Sequence, residues 1–197
     1  MIRHGQRGFT LIEMSATVSI IGLLVLVAVP SFSSLRRNAA ARVAAKDLGA
    51  IFHLTRSRAI ARGTNSGLKF VKLGGEWQFA VYDDGDRDGI RNDDITKRVD
   101  RLVVPHRPVF QQTDIATIGL PSYSIVDPDG DKLPPTRSPV VFGNSTICSF
   151  SPTGESSPGT IYVTNRRDEL YAVRVYGNTA KIRVLRYDRA SRKWSPR

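Results

Sequence analysis

The sequence predicts an α+β protein in which one long amino-terminal helix is followed by an antiparallel β-sheet domain. Three observations support this fold class. An apolar run extends from Phe9 to Val29, an amphipathic pattern continues from Phe32 to Ala59, and short β-like runs separated by turn residues follow Gly63. The first two segments predict one long helix, and the third predicts a sheet that packs against its second half.

The apolar run is long enough to cross a membrane. As a helix, residues 9–29 would rise about 31 Å, which is the thickness of the hydrocarbon core of a bilayer. The run is too long for a secretory signal, and no small-residue cleavage pattern closes it. A single charge, Glu13, interrupts it. One interpretation is a plain signal anchor whose carboxylate reaches the headgroups, but a carboxylate inside an apolar span usually has a function.

The amphipathic segment predicts the second half of the helix. Pro30 is expected to kink or interrupt the helix, and Ser31 could restart it. Apolar residues then recur at steps of three and four, with most of the charges between them. A cation followed by glycine, Arg62-Gly63, predicts the end of the helix.

The remaining chain predicts one β-rich domain of ordinary size. Residues 68–72 and 77–82 flank Gly74-Gly75 and predict a hairpin. Further strands are predicted at residues 96–104, 140–142, 146–150, 160–164, 170–175 and 180–187. An irregular insertion or long loop is predicted between Pro105 and Pro139. Cys148 is the single cysteine, so the domain has no internal disulfide.

The junction before the apolar run resembles a known processing signal. The residues Gly8-Phe9-Thr10-Leu11-Ile12-Glu13, followed by a long apolar helix that is broken by Pro30, are similar to the type III signal of type IV pilins and pseudopilins. The resemblance implies cleavage between Gly8 and Phe9 by a prepilin peptidase, which also methylates the new amino terminus at Phe9. It also places the leader in the cytoplasm, the helix in the bacterial inner membrane and the globular domain in the periplasm.

The resemblance also gives Glu13 a role in assembly. The amino group that is freed at Phe9 of a neighbouring chain would neutralise the Glu13 carboxylate as subunits leave the bilayer for a pilus or pseudopilus. Helices of other pilin or pseudopilin subunits would then cover the apolar faces. Glu13 is therefore interpreted as the residue that fixes the register between neighbouring subunits.

Several short segments of the domain are more weakly similar to the FimT and GspH branch of minor pilins and pseudopilins. They are residues 54–63 at the helix end, Trp77 with Phe79, the Asp-Gly turn at residues 84–89, and residues 147–154. The closing strand departs from that branch, because Ala180-Lys181-Ile182-Arg183 stands where many relatives have Gly-Arg-x-Arg. The implied organisation is a type IV pilin-like fold with four parts. They are a leader at 1–8, a transmembrane and assembly helix at 9–30, its amphipathic continuation at 31–63, and a β-rich domain with a basic carboxy-terminal tail at 64–197.

An acidic stretch permits two interpretations. Asp84, Asp86, Asp88 and Gly89 match the first half of a calcium-binding loop, since carboxylates alternate and glycine permits the sharp turn. Ile95, however, stands where a closing glutamate would be needed. The alternative is a polar turn in which aspartates accept hydrogen bonds from backbone amides. We favour the turn and predict no metal site.

The carboxy-terminal end is strongly basic. The chain of 197 residues carries a net charge of +11, and residues 166–197 contain ten cations but three acids. Such a balance favours anionic partners. The candidate nucleic-acid contacts are Lys181, Arg183, Arg186, Arg189, Arg192 and Lys193, with Tyr187 and Trp194 available to stack on bases. The alternatives are a solvated basic edge that prevents aggregation of the last strand, and attraction to anionic headgroups.

The sequence therefore predicts a structural subunit rather than an enzyme. We find no zinc-type Cys/His spacing, no phosphate-binding glycine loop and no Gly-x-Ser-x-Gly elbow, and no cofactor is expected. The function implied by the resemblance is a minor pilin or pseudopilin of the tip or priming complex of a type IV pilus or a type II secretion pseudopilus. The alternative is a minor pilin that binds DNA during natural transformation. The sequence does not separate the pilus from the secretion system.

Overall fold

A computed structural model describes residues 10–110 and 116–196, and for residues 27–38 it describes the backbone alone. Helix α1 runs from Leu11 to Arg62 without a break, so Pro30 does not interrupt it, and the kink that was the other expected outcome stays a prediction. The chain divides into two compact units, residues 1–37 and residues 38–197. The predicted end of the helix is confirmed, because Gly63 follows with a φ of 65° and donates its N–H to the carbonyl of Ala59.

The second unit contains three antiparallel sheets. The first has the order β3-β2-β1-β8, the second has the order β12-β11-β10-β9-β4 with β7 also paired to β9, and the third pairs β5 with β6. The strands are β1 (Ser66–Leu73), β2 (Glu76–Asp83), β3 (Arg101–Pro108), β4 (Thr117–Ile118), β5 (Ile125–Val126), β6 (Lys132–Leu133), β7 (Val140–Val141), β8 (Ile147–Phe150), β9 (Gly159–Thr164), β10 (Leu170–Tyr176), β11 (Lys181–Asp188) and β12 (Lys193–Pro196). A short helix, α2 (Asn92–Lys97), lies between β2 and β3. The α+β class predicted from the sequence is confirmed.

The main core lies between α1 and the two large sheets. Ala41, Ala45, Leu48 and Phe52 recur at helical spacing and are fully buried. The ring of Phe52 contacts aromatic rings from three separate strands or their ends, with centroid distances of 5.9 Å to Phe70, 6.0 Å to Phe142 and 6.2 Å to Phe150. This cluster fixes the second half of α1 across the sheets.

A second core covers the other face of the second sheet. Residues 120–133 lie over this face and bury Ile125 and Leu133 against strand residues such as Tyr162 and Leu185. We call residues 120–133 the cover segment. It belongs to the predicted insertion, which therefore contains short strands and a packed core instead of an irregular loop alone.

Two further sequence predictions need correction. Thr96, where a strand was expected to begin, lies in α2, and the strand β3 starts at Arg101 and continues to Pro108. Residues 193–196, expected to be part of a tail, form strand β12 and pair with β11. Both errors have one cause, since short elements at the edge of a sheet have little hydrophobic periodicity of their own.

Within the described residues, we find no helix that is both long enough and apolar enough to cross a membrane. The transmembrane assignment of residues 9–30 stays a prediction. Part of that range lies outside the residues whose side chains the structure describes.

Candidate functional sites

The described chain starts two residues after the predicted cleavage site. Gly8 and Phe9 lie outside the described residues, so the processing prediction stays untested. Glu13 is described, and it forms a capping box with Thr10. The Thr10 backbone N–H donates to Glu13 Oε2 at 3.0 Å, and the Glu13 N–H donates to Thr10 Oγ1 at 3.3 Å. Such reciprocal bonds satisfy amides at the start of a helix that have no partner within it.

The capping box positions the Glu13 carboxylate beside the start of the chain that cleavage would create. Thr10 is the residue directly after Phe9, and both its N–H and its hydroxyl donate to Oε2. Sequence reasoning identified the charge of Glu13 but missed this local role. The signal was present, because Thr-x-x-Glu before an apolar run is a typical capping box.

The first turns of α1 expose large apolar side chains in the isolated chain. Leu11 is 89% exposed, and Leu26 is 74% exposed. The hydroxyls in this stretch, those of Ser15, Thr17 and Ser19, donate to carbonyls one turn earlier in the same helix. The helix therefore satisfies its own polar groups and leaves apolar surface to be covered by lipid or by other helices.

The acidic loop forms a tight turn around Asp84. Asp84 Oδ1 accepts N–H bonds from Asp86 and Arg87, and Oδ2 accepts bonds from the Gly89 N–H and the Asn65 side chain. Burial raises the pKa of Asp84, but these four hydrogen bonds outweigh burial and hold it below its ordinary value. The carboxylates of Asp84, Asp86 and Asp88 do lie together. The contacts of Asp84 favour the turn, because a carboxylate with four donors has little capacity left for a cation.

The basic residues of β11 and β12 do not form one patch. Lys181 lies at the start of β11, where it pairs with Tyr176, whereas Asp188 and Lys193 pair at the opposite end. Arg186 is already occupied by the nearly buried Glu169, to which it donates two hydrogen bonds of 2.9 and 2.6 Å. Those bonds raise the pKa of Arg186. Arg189 stacks over the ring of Tyr123 at 4.6 Å.

The other predicted nucleic-acid contacts are open. Within residues 10–110 and 116–196, Lys181, Arg183, Arg192 and Lys193 are exposed and have no ion-pair or hydrogen-bond partner through their side chains. Arg166 and Arg167, which sequence reasoning did not include in the site, are also exposed. Local sequence signals could not have joined them to the hairpin, because the strand order decides which turns meet.

The two aromatic residues of the nucleic-acid hypothesis both pack in or against the second core. Tyr187 is buried in the second core, and Trp194 contacts its ring at a centroid distance of 5.0 Å. The indole N–H of Trp194 donates to the carbonyl of Val126 at 2.8 Å. Both rings hold the cover segment on the sheet. Tyr187 presents no free face on which a base could stack, and the half-buried Trp194 already contacts Tyr162 and Tyr187.

Comparison with known families identifies the type of protein. The family model for type II transport protein GspH matches residues 44–180, which is more than half of the chain. The chain belongs to the GspH family. The model for the prokaryotic N-terminal methylation motif matches residues 3–29 of the same chain. No curated protein and no solved structure matches it.

Family membership identifies the fold and the class of subunit. A GspH-family chain is a pilin-like subunit, a pseudopilin or minor pilin, and its α+β architecture is the type IV pilin-like fold. The family is structural rather than catalytic. The GspH match covers α1 from residue 44 and the strands of both large sheets up to Ala180, whereas β11 and β12 lie wholly after the matched region.

Proposed function

We propose that this chain is a minor subunit of a type IV pilus or a type II secretion pseudopilus, in its tip or priming complex. A prepilin peptidase would cleave it between Gly8 and Phe9 and methylate Phe9. The observation that carries this proposal is the co-occurrence of a methylation motif at residues 3–29 and a GspH domain at residues 44–180.

The apolar start of α1 supports assembly through the helix. Ten large apolar side chains between Leu11 and Leu26 are more than half exposed in the isolated chain. Such a surface needs a covering environment. We propose that residues 9–30 lie in the bacterial inner membrane before assembly, with the β-rich domain in the periplasm, and that helices of other pilin or pseudopilin subunits replace the lipid afterwards.

Mass spectrometry of the mature chain tests the proposal. When the chain is expressed together with a prepilin peptidase, the product should begin at Phe9 and carry one added methyl group. Gly8→Ala should block cleavage, whereas Gly5→Ala, a matched change in the leader, should leave it unaffected. A mature product that still begins at Met1, or that is cut beyond the apolar run, would overturn the proposal.

Binding of DNA in natural transformation is the second candidate function. The exposed, unpaired side chains of Lys181, Arg183, Arg192 and Lys193 favour it. Electrostatic contact with phosphates needs no aromatic platform, so the loss of Tyr187 and Trp194 removes stacking but leaves the charges. The competing explanation is that the cations keep the edge strand β12 soluble.

A salt series measures this alternative. The full chain in detergent should bind duplex DNA with an affinity that falls steeply as salt rises, and Arg183→Ala combined with Arg189→Ala should reduce the slope by about two. The matched control combines Arg91→Ala with Arg98→Ala, which removes two exposed cations from another part of the domain. Undetectable binding at low salt, or equal loss in both variants, would end the DNA hypothesis.

A further inference from the structure

Two basic turns meet at one end of the second sheet. The turn between β9 and β10 follows Thr164, which pairs with Leu170. The turn between β11 and β12 follows Asp188, which pairs with Lys193. Because Tyr171, near the start of β10, pairs with Arg186, near the end of β11, both turns lie at the same end of the sheet.

The part of α1 that belongs to the second unit begins at the same end of the sheet. A Cβ on Gly49 would lie 3.5 Å from Val184 Cγ2, which places this part of α1 over the middle of β11. Arg42 lies two turns earlier in the helix. Ala40 and Val43, on either side of Arg42, line one cavity with Ala116. The next residue, Thr117, pairs with Thr164, where the β9–β10 turn begins. Arg42 therefore lies near the end of the sheet that carries the two turns.

This end of the domain is strongly positive. We call its exposed cations the basic rim: Arg42, Arg166, Arg167, Arg189, Arg192 and Lys193. The two turns also contain the exposed acids Asp168 and Asp188, and Asp188 accepts bonds from Ala190 and Ser191 within its own turn. Glu169 does not reduce the charge further, because Arg186 neutralises it. Six cations therefore face two acids.

The backbone of these turns gives no reason for arginine. Arg166 and Arg192 have φ values of 61° and 53°, in the left-handed region that favours glycine or asparagine. Arg87 and Arg98 adopt the same region elsewhere in the domain, so the conformation is not particular to the rim. It does show that local geometry is not what selects these two side chains.

We propose that the basic rim binds the anionic phosphate headgroups of the bilayer from which the chain emerges. This inference rests on the proposed function, in which residues 9–30 lie in the membrane. Eight residues lie between Val29 and Asn38, where the second unit begins. A tether this short gives the rim a high effective concentration of headgroups, and each cation near an anionic surface adds to the attraction. The contact would hold the domain on the membrane until assembly.

The arrangement fits headgroups better than nucleic acid. The rim draws on three separate segments of the chain that meet at one end of the domain, whereas Lys181 lies at the other end of β11. Tyr187 and Trp194, which could have stacked on bases, are packed in the second core. A lipid surface requires only clustered charge on the domain.

Fluorescence quenching on the full chain measures how close the β11–β12 turn lies to the headgroups, and so tests whether the basic rim binds them. A fluorophore on Ala190→Cys lies in the β11–β12 turn, and Cys148 is buried and so stays unlabelled. The chain is reconstituted into vesicles of neutral phosphatidylcholine, with or without one third phosphatidylglycerol, and quenching by headgroup-labelled nitroxide lipid is recorded. Quenching should be several-fold stronger in the anionic vesicles and should fall to the neutral level at high salt.

Charge-reversing substitutions distinguish binding through the basic rim from a general attraction of the basic domain to an anionic bilayer. Arg167→Glu with Arg192→Glu should lower the ratio of docked to free domain by at least about 25-fold, since each cation contributes about five-fold. Lys181→Glu with Arg183→Glu makes the same charge change away from the two turns and should leave quenching nearly unchanged. Thermal melting checks that both variants fold, and Arg167→Gln with Arg192→Gln should give an intermediate loss.

These measurements can overturn the proposal that the basic rim binds anionic headgroups. Equal quenching in neutral and anionic vesicles, or equal losses in the two charge-reversed variants, would overturn it. A rim variant that loses DNA binding but keeps its quenching would overturn it as well, because the surface would then recognise nucleic acid. Flotation of the chain with neutral vesicles reports anchoring separately. Failure to float would overturn both the membrane proposal and the rim, whereas flotation without charge-dependent quenching would overturn the rim alone.

Discussion

An ion pair ties the end of α1 to the first sheet. Arg58 donates to both carboxylate oxygens of Asp83, at 2.7 and 2.6 Å, and the hydroxyl of Ser66 donates to the same carboxylate. Burial raises the pKa of Asp83, but the bonds from Arg58 and Ser66 outweigh burial and hold the pKa below its ordinary value. We predict that Asp83→Asn lowers the free energy of unfolding by about 2 kcal/mol at pH 7, because it leaves Arg58 without its counter-ion.

The pH dependence of this loss gives a second readout. A carboxyl group with a lowered folded pKa stabilises fully above its unfolded pKa, and this contribution disappears as the pH falls through the folded pKa. The difference between the wild type and Asp83→Asn should therefore shrink in urea melts as the pH falls below the ordinary pKa of an aspartate. Asp88→Asn is the control, since its ion pair with Arg91 is largely exposed and should matter little. A difference that stays constant while the wild-type carboxyl is protonated would contradict the prediction.

At the scale of elements, two glycines should respond in opposite directions to the same substitution. A Cβ on Gly159 in β9 would lie 2.2 Å from Phe142 Cδ1 and 2.3 Å from the Val141 carbonyl oxygen. Gly159→Ala should therefore lower the free energy of unfolding by about 1–3 kcal/mol. Gly49→Ala meets Val184 at an ordinary 3.5 Å and improves helix propensity, so it should raise stability by about 0.5–1 kcal/mol. Chemical denaturation of both variants checks the signs, and a stabilising Gly159→Ala would mean that β7 and β9 are farther apart.

Strand β12 should stabilise the second core through Trp194. Trp194→Ala removes the contacts with Tyr162 and Tyr187 and the hydrogen bond to Val126, and we expect a loss of about 2 kcal/mol because the ring is only partly buried. Trp194→Phe keeps an aromatic ring but loses the hydrogen bond and should cost about 1 kcal/mol. Protection of the amides in residues 120–133 from hydrogen exchange should fall in the same order. Unchanged protection in Trp194→Ala would show that the cover segment does not depend on β12.

The elements differ in how well the sequence predicted them, and the difference has a physical cause. Gly74-Gly75 between two alternating runs predicted the β1–β2 hairpin, and Arg62-Gly63 predicted the end of α1, because both signals are local. Strand β12 has no such signal, since its pairing depends on β11 and its packing depends on Val126, 68 residues away. The same holds for the candidate sites. Glu13 is visible in the local pattern, whereas the placement of Arg167 and Arg192 at the same end of the sheet depends on the strand order.

At the scale of the whole molecule, the two units place different demands on their surroundings. The described side chains of the first unit expose apolar surface that water does not favour, whereas the second unit has a buried core and a positively charged surface. The proposed function needs this division, because residues 9–30 would move from lipid to a bundle of helices while the β-rich domain stays folded in water. We propose that Glu13 controls that transfer.

Two substitutions of Glu13 distinguish its charge from its role as a helix cap. In Glu13→Gln the amide oxygen can still accept the Thr10 N–H bond, so the capping box survives, but no charge remains to answer the amino group freed at Phe9. Glu13→Ala loses both. We predict that both variants are cleaved normally, as judged by mass spectrometry, and that both enter sheared pili or pseudopili at least about ten-fold less than the wild type, because each lacks the intersubunit charge pair. Normal incorporation of Glu13→Gln would show that the cap, and not the charge, is what assembly requires.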